Sequence, residues 1–292
     1  MPRKKYYLLI SPFFDSFDVE NGRVISENDY FVSVSFAISK KCYIFAEKLR
    51  INMIKIENER GSVLQSVLFN GQTGIEHFCS MRDCKHPGQG VWMPQQVHGT
   101  TIVVVDAHTP MDMDLERQPV DADAVITREK GMWIGVHTAD CVPVLLYDPV
   151  QEVVAAVHAG WRGTVGHIVG LTLQKMREEM GCRMSDVLGM IGPSISPMAY
   201  EVGEDVADAF VKAGRGDCVR RSLWGPNGKL LLPKPHIDLW QSNVMDMMEA
   251  GMDLQHIDCT PWCTFEHSNV VFSARKEGIG TGRIVSAISL KR

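Results

Sequence analysis

Three short apolar runs, separated by polar breaks that carry His, Cys and Asp, constrain this chain more than any other stretch. They lie within residues 121–163 and read MWIGV, VPVLLY and EVVAAV. Short runs rich in Val, Ile and Leu and bounded by Gly, Pro and Asp predict buried strands. We therefore expect Cys141 and His158 to lie at strand ends, where a packed scaffold holds side chains in fixed positions. His98, in the upstream segment QQVHG, is a third candidate.

The composition argues against several classes of protein. Of 292 residues, 45% are hydrophobic and 22% are charged, which is ordinary for a globular protein with a sizeable core. A net charge of −5 and the lack of a long Lys/Arg block argue against a nucleic-acid partner. No apolar run approaches the roughly 20 residues of a membrane helix. The eight cysteines are scattered without a secretory signal, which favours reduced thiols and a cytoplasmic location.

The alternation of predicted strands and helices is irregular, with long loops between them. Such a pattern favours an α+β fold, with a mixed sheet covered by helices, over a regular doubly wound fold. Apolar spacing after Gly163 predicts a helix with Thr164 as N-cap and Gly181 as its stop, and Asp238 is the expected cap of a second helix. Strands are also expected in residues 6–10, 30–38, 62–69, 270–274 and 283–289, and a loop in residues 77–90.

One thiol and two imidazoles form a suitable ligand set for zinc. Zinc accepts Cys sulfur and His nitrogen, and a catalytic site keeps a fourth position open for water or substrate. The ligands would be His98, Cys141 and His158. Their sequence separation is not diagnostic, since the chain has ten His and eight Cys, so ordinary residues at strand ends remain the alternative. Weaker candidates are Cys259-x3-Cys263-x3-His267 and Cys79-x4-Cys84 with His86.

Several other side chains have chemistry that a site of this kind needs. Asp123 and Asp140 flank the central strands, and either is a candidate general acid or base near a metal, or a turn carboxylate. A Cys141–His158 pair also permits nucleophilic catalysis, unless both residues bind metal. Guanidinium groups that would bind an anion such as phosphate, or form surface ion pairs, belong to Arg162, Arg275 and Arg283.

Several motifs together resemble one known family. They are QQVHG, DADAVIT, HTADCVPVLLYDP, HAGWRG, GPSI, YEVG and a closing Arg/Gly-rich segment, and they extend from Pro94 to Arg283. They look like the multicopper polyphenol oxidoreductases, also called bacterial laccase-like proteins. The TADC-to-HAGWRG order is the most specific part of the likeness.

The resemblance implies a fold, a metal and an activity. The fold is a single α-β-β-α sandwich over residues 1–292, with an atypical N-terminal part in residues 1–90 and a zinc-site core in residues 91–292. His98, Cys141 and His158 are the implied zinc ligands. The implied activities are phosphorolysis of adenosine, inosine, guanosine and methylthioadenosine, and deamination of adenosine, with purine nucleosides and phosphate as partners. An older assignment for the family is copper-dependent phenol oxidation.

The chain departs from the family pattern at two places. Ser80-Met81-Arg82 is a short remnant of the segment S-x-R-x-G-G, so we hold Arg82 as a candidate substrate residue. The family's terminal Arg-Arg-Asp-Gly reads Arg275-Lys276-Glu277-Gly278 here, and Lys276 cannot reproduce a planar bidentate contact. Three alternatives to the zinc-dependent purine nucleoside enzyme therefore stay open: a copper oxidase, a cysteine hydrolase using Cys141 and His158, and a zinc-binding protein with reduced activity.

Overall fold

The computed structural model describes residues 6–9, 17–18, 23–24, 53–58, 61–109, 120–221, 234–260 and 262–292. The strand predicted at 30–38 lies outside these ranges. The strands, in chain order, are β1 Tyr6–Leu9, β2 Phe17–Asp18, β3 Arg23–Val24, β4 Met53–Asn58, β5 Gly61–Ser66, β6 Ile75–Ser80, β7 Val91–Trp92, β8 Ile102–Val105, β9 Ala124–Thr127, β10 Trp133–Thr138, β11 Val142–Asp148, β12 Val153–Ala159, β13 Leu188–Ile191, β14 Val219–Arg220, β15 His236–Ile237, β16 Ile257–Cys259 and β17 Ile284–Leu290.

Helices are few and most of them are short. They are α1 Val67–Asn70, α2 Trp161–Val165, α3 Ile168–Met180, α4 Glu204–Lys212, α5 Leu239–Ala250 and α6 Ala274–Glu277, with single 3₁₀ turns at Gly216–Cys218 and Leu254–His256. None of these helices combines the length and the apolar character that crossing a bilayer requires.

Two large mixed sheets dominate the described part of the chain. The first, sheet A, has the order β3-β2-β1-β4-β5-β6-β17-β10-β7, and the second, sheet B, has the order β16-β13-β11-β12-β9-β8. Most neighbours are antiparallel, whereas β10–β7, β13–β16 and β8–β9 are parallel pairs. The predicted α+β class with mixed sheet structure is thus confirmed.

The alternation of side chains along a strand explains how these sheets are layered. In β11, Val144 and Leu146 belong to a core shared with α3, whereas the intervening Leu145 belongs to a core shared with Ile134 and Ile288 of sheet A. Every residue of β11 and β12 is buried, because both faces of these strands are covered. Sheet B therefore lies between a helical layer and sheet A.

Three local predictions about helices had different outcomes. The expected stop at Gly181 is confirmed, with φ of 71°, and so is the Asp238 cap, whose carboxylate accepts from the Gln241 amide. Thr164 as N-cap is wrong. It lies inside α2, and α3 begins only after His167, which has the left-handed φ of 58° and breaks the apolar helical pattern into two helices.

Two predictions based on local polarity were wrong. Residues 77–80 belong to β6 rather than to a loop, because β6 pairs with β17 from the distant C-terminal end of the chain. Residues 270–274 do not form a strand, since the amides of Val270 and Val271 bond back to the His267 carbonyl in a turn. The apolar run at 62–69 is divided between β5 and α1. The strand predicted at 283–289 is confirmed as β17, which begins at Ile284.

Candidate metal centre

Two connections between the sheets and one buried strand bring the three predicted metal ligands together. His98 lies between β7 of sheet A and β8 of sheet B, and Cys141 lies between β10 of sheet A and β11 of sheet B. His158 lies in β12. One ligand atom from each side chain lies within 4.8 Å of the other two. A tetrahedral zinc with bonds of about 2.0–2.3 Å needs ligand atoms within such a range.

A buried carboxylate fixes both histidines of this cluster. Asp123 Oδ1 lies 2.7 Å from His158 Nδ1 and accepts the His98 amide at 2.9 Å. Asp123 Oδ2 accepts the Gly99 amide at 2.6 Å. Because Nδ1 of His158 bonds to Asp123, Nε2 is the ring nitrogen left for a ligand, an arrangement frequent at metal-binding histidines.

The electrostatics of the cluster favour a thiolate. Burial alone would raise the pKa of Cys141, but hydrogen bonds to His158 and His98 outweigh burial and lower this pKa to about 6. Burial would lower the pKa of His158, and its bonds to Asp123 and Cys141 instead raise it to about 9. Burial likewise opposes ionisation of Asp123, yet its bonds to His158 and to the Gly99 amide lower its pKa. The thiolate is both the metal-binding and the nucleophilic form of cysteine.

The space beside the ligands depends on a glycine. A Cβ added at Gly160 would lie 3.1 Å from Cδ2 of His98 and 3.2 Å from Sγ of Cys141. Within the described ranges, no other group of three His, Cys, Asp or Glu side chains converges in this way. In the weaker candidate set of Cys259, Cys263 and His267, the Cys263 sulfur accepts a hydrogen bond from the Ser196 amide at 3.3 Å.

A cavity of about 720 Å³ opens onto the three ligands. Its size lies within the range of about 300–1,000 Å³ typical of small-ligand pockets. Ile279 is 88% exposed at this cavity, which is unusual for a large apolar side chain and places an apolar surface beside the ligands. Other residues that line the cavity are Trp92, Met93, Pro94, His137 and Arg283.

Two predicted anion-binding arginines lie near a tyrosine that sequence reasoning left without a role. The Arg275 guanidinium is 5.2 Å from the centre of the Tyr200 ring. Burial and the nearby Cys141 raise the pKa of Tyr200, against the opposing charges of Arg275 and Arg162. Tyr200 is therefore a neutral hydroxyl within electrostatic range of Cys141 and both arginines. The motif YEVG contains this residue, but local sequence gives no sign that it lies within electrostatic range of Cys141.

Asp140, the second candidate acid or base, has its carboxylate oxygens occupied. Oδ1 accepts from the Thr264 and Ser273 hydroxyls at 2.5 and 2.8 Å, and Oδ2 accepts the Arg275 amide at 2.6 Å. These bonds join the connection that carries Cys141 to residues 264–283, which we call the C-terminal segment. A role for Asp140 in proton transfer stays a prediction.

The remaining arginine candidates contact the C-terminal segment. Arg82 bonds to the Val271 carbonyl at 3.0 Å and pairs with Glu277 at 2.5 Å, and its guanidinium stacks on Phe272. Arg283 donates to the Ile279 carbonyl at 2.9 Å and so braces the loop beside the cavity. Substrate binding by Arg82 stays a prediction.

Known proteins are similar to the part of the chain that contains the candidate metal ligands. Residues 72–291 match the family described as multi-copper polyphenol oxidoreductase laccase. A purine nucleoside phosphorylase of Bacteroides thetaiotaomicron is 42% identical over 202 residues, which cover 68% of this chain and 73% of the relative. Adenosine deaminase RL5, from an unknown prokaryotic organism, is 36% identical over 203 residues, which cover 68% of this chain and 74% of the relative.

Solved structures share the fold. YlmD from Geobacillus stearothermophilus superposes with a TM-score of 0.65 at 23% identity, covering 80% of this chain and 98% of that chain. The hypothetical protein YfiH from Bacillus licheniformis superposes with a TM-score of 0.62 at 26% identity, covering 69% of this chain and 74% of that chain.

Proposed function

The chain belongs to the multi-copper polyphenol oxidoreductase laccase family, and from this premise we propose that it is a zinc-dependent purine nucleoside enzyme. The observation that carries the proposal is the convergence of His98, Cys141 and His158, with His158 oriented by Asp123. The relatives named purine nucleoside phosphorylase and adenosine deaminase supply the substrate class. Purine nucleosides and phosphate are thus the proposed partners.

The donor set supports zinc over a multicopper centre. One thiolate and two imidazoles leave a fourth position open, as in catalytic zinc sites. Multicopper oxidation needs several metal positions, and the described residues contain one convergent group of three. Zinc bound by these residues would supply a Lewis acid that polarises a substrate oxygen or lowers the pKa of water.

The other residues have roles in binding and orientation under this proposal. Asp123 holds the His158 ring so that Nε2 faces the ligand cluster. Arg162 and Arg275 form the proposed phosphate subsite beside the neutral hydroxyl of Tyr200. The apolar surface that includes Ile279 would contact the purine ring in the cavity. A phosphate bound there would attack the sugar carbon as the purine leaves, giving the base and a sugar 1-phosphate.

The deciding experiment measures metal content and turnover together. Wild type, Cys141→Ala and the control Cys84→Ala are purified, analysed for metals by mass spectrometry, and incubated with adenosine with and without phosphate. We expect zinc in wild type and in Cys84→Ala, none in Cys141→Ala, and adenine or inosine from the zinc-loaded proteins only.

Other outcomes would support the alternatives. Zinc without purine turnover would indicate a zinc-binding protein with reduced activity. A metal-free protein whose Cys141 reacts rapidly with iodoacetamide would favour a cysteine hydrolase, which the hydrogen bonds from His158 and His98 support by lowering the pKa of Cys141. Several coppers per chain with dye oxidation would support the older phenol-oxidising assignment.

A further inference from the structure

One glutamine side chain replaces a missing strand partner beside the metal centre. Gln96 Oε1 accepts the His137 amide at 2.7 Å, and Gln96 Nε2 donates to the His137 carbonyl at 2.8 Å. β7 pairs with β10 only at Trp133 and Ile134. Further along β10, at His137, the Gln96 carboxamide satisfies both backbone groups as a neighbouring strand would.

The same loop is held on its other side by sheet B. Asp123, just before β9, accepts the amides of Val97, His98 and Gly99. His98 has a φ of 61°, a left-handed conformation that a non-glycine residue keeps only where its surroundings hold it. The His98 loop is therefore anchored to sheet A through Gln96 and to sheet B through Asp123.

These two anchors connect His98 to different ligands. Asp123 bonds directly to His158, so it sets the position of His98 relative to that ring. Gln96 bonds to β10, the strand that leads into Cys141. We propose that Gln96 is a positioning residue that sets His98 relative to Cys141 and thereby determines the metal geometry. The inference rests on the proposed metal site and is independent of purine chemistry.

The chemistry of the carboxamide makes the proposal testable. The Gln carboxamide carries N–H donors and a carbonyl acceptor on one planar group, and both kinds of bond can be removed separately. Gln96→Met keeps the length of the side chain and removes both bonds, whereas Gln96→Glu keeps the acceptor and loses the donor. Gln95 provides a matched control because it is the exposed neighbour, and the hydrogen bonds of the described residues include none from its side chain.

The experiment uses cobalt(II) as a spectroscopic substitute for zinc in the full chain. Wild type, Gln96→Met, Gln96→Glu and Gln95→Met are titrated, and the cobalt affinity and visible ligand-field spectrum are recorded. Loss of an outer-shell contact lowers metal affinity by roughly 10–100-fold. We expect such a loss and an altered spectrum in Gln96→Met, a smaller loss in Gln96→Glu, and wild-type behaviour in Gln95→Met.

The outcomes separate this inference from the proposed enzyme function. Wild-type affinity and spectrum in a folded Gln96→Met would overturn the inference and leave the zinc enzyme proposal intact. If Gln96→Met fails to fold, Gln96→Glu decides, and an unchanged spectrum in that variant overturns the inference. A wild-type chain that binds no cobalt would overturn both, whereas cobalt binding without purine turnover would count only against the enzyme function.

Discussion

Gly160 lies against two of the candidate metal ligands, and its lack of a side chain leaves room for them. Its backbone φ of −66° is open to any residue, so Gly160→Ala leaves the fold intact. The added Cβ would lie 3.1–3.2 Å from His98 and Cys141, which forces the ligands apart. We expect Gly160→Ala to bind zinc at least about 10-fold more weakly than wild type, because disturbing the residues around a metal ligand lowers metal affinity by such a factor. Chelator competition measures this affinity. Gly170→Ala is the control, since its Cβ meets nothing closer than 3.8 Å. Equal affinity in Gly160→Ala and wild type would contradict the prediction.

The thiolate of Cys141 predicts a pH dependence in the metal-free protein. Because the pKa of Cys141 is lowered to about 6, its alkylation by iodoacetamide should reach half its maximal rate near pH 6. Asp123 stabilises protonated His158, so Asp123→Asn lowers the pKa of His158 and removes the cation that favours the thiolate. The midpoint should then move up towards the ordinary cysteine value of 9. Peptide mapping identifies the modified residue, and Cys141→Ala should lose the low-pH reaction. An unchanged midpoint in Asp123→Asn would show that this carboxylate does not control the pair.

The connection between β10 and β11 is joined to the C-terminal segment by Asp140. Its carboxylate accepts three hydrogen bonds and is 9% exposed, so Asp140→Asn leaves at least one buried donor unsatisfied. Asn also tolerates the left-handed φ of 96° at this position, so the change tests the hydrogen bonds rather than the backbone. We expect the free energy of unfolding to fall by about 2–3 kcal/mol in denaturant titrations. Asp186→Asn, which affects a surface pair with Arg183, should cost less than about 1 kcal/mol. Equal losses in the two variants would contradict this account.

Local sequence patterns predict the central strands well, but they do not predict which distant segments contact one another. Cys141 and His158 were predictable because buried strands give strong apolar runs with clear ends. The break between α2 and α3 was not, since a left-handed His167 leaves no mark in the apolar pattern. The positions of Gln96 and Tyr200 near the site were not predicted, for another reason. Their contacts join segments far apart in the chain, such as Gln96 with His137, and no local pattern records such pairs.

A metal held by the three candidate ligands would stabilise the described structure by joining its two sheets. His98 and Cys141 lie in connections that pass from sheet A to sheet B, and His158 belongs to sheet B. A metal bound by all three therefore links the sheets and binds the folded state in preference to the unfolded chain. A ligand at 100 times its dissociation constant stabilises the folded state by about 2.7 kcal/mol.

Thermal unfolding of the whole chain should therefore depend on zinc and on pH together. We expect zinc to raise the Tm by several degrees and a chelator to lower it to the metal-free value. In proteins of 150–250 residues, each kcal/mol added to the free energy of unfolding raises the Tm by about 2–4 °C. Zinc binding needs the Cys141 thiolate and a neutral His158, so protons compete with zinc below about pH 9 at His158 and more strongly below about pH 6, where Cys141 is also protonated. The zinc-dependent shift should thus be larger at pH 8 than at pH 5, as calorimetry would measure. Cys141→Ala should show no shift at either pH, whereas Cys84→Ala should match wild type. If zinc still raises the Tm of Cys141→Ala, the stabilising metal binds elsewhere and does not join the two sheets through His98, Cys141 and His158.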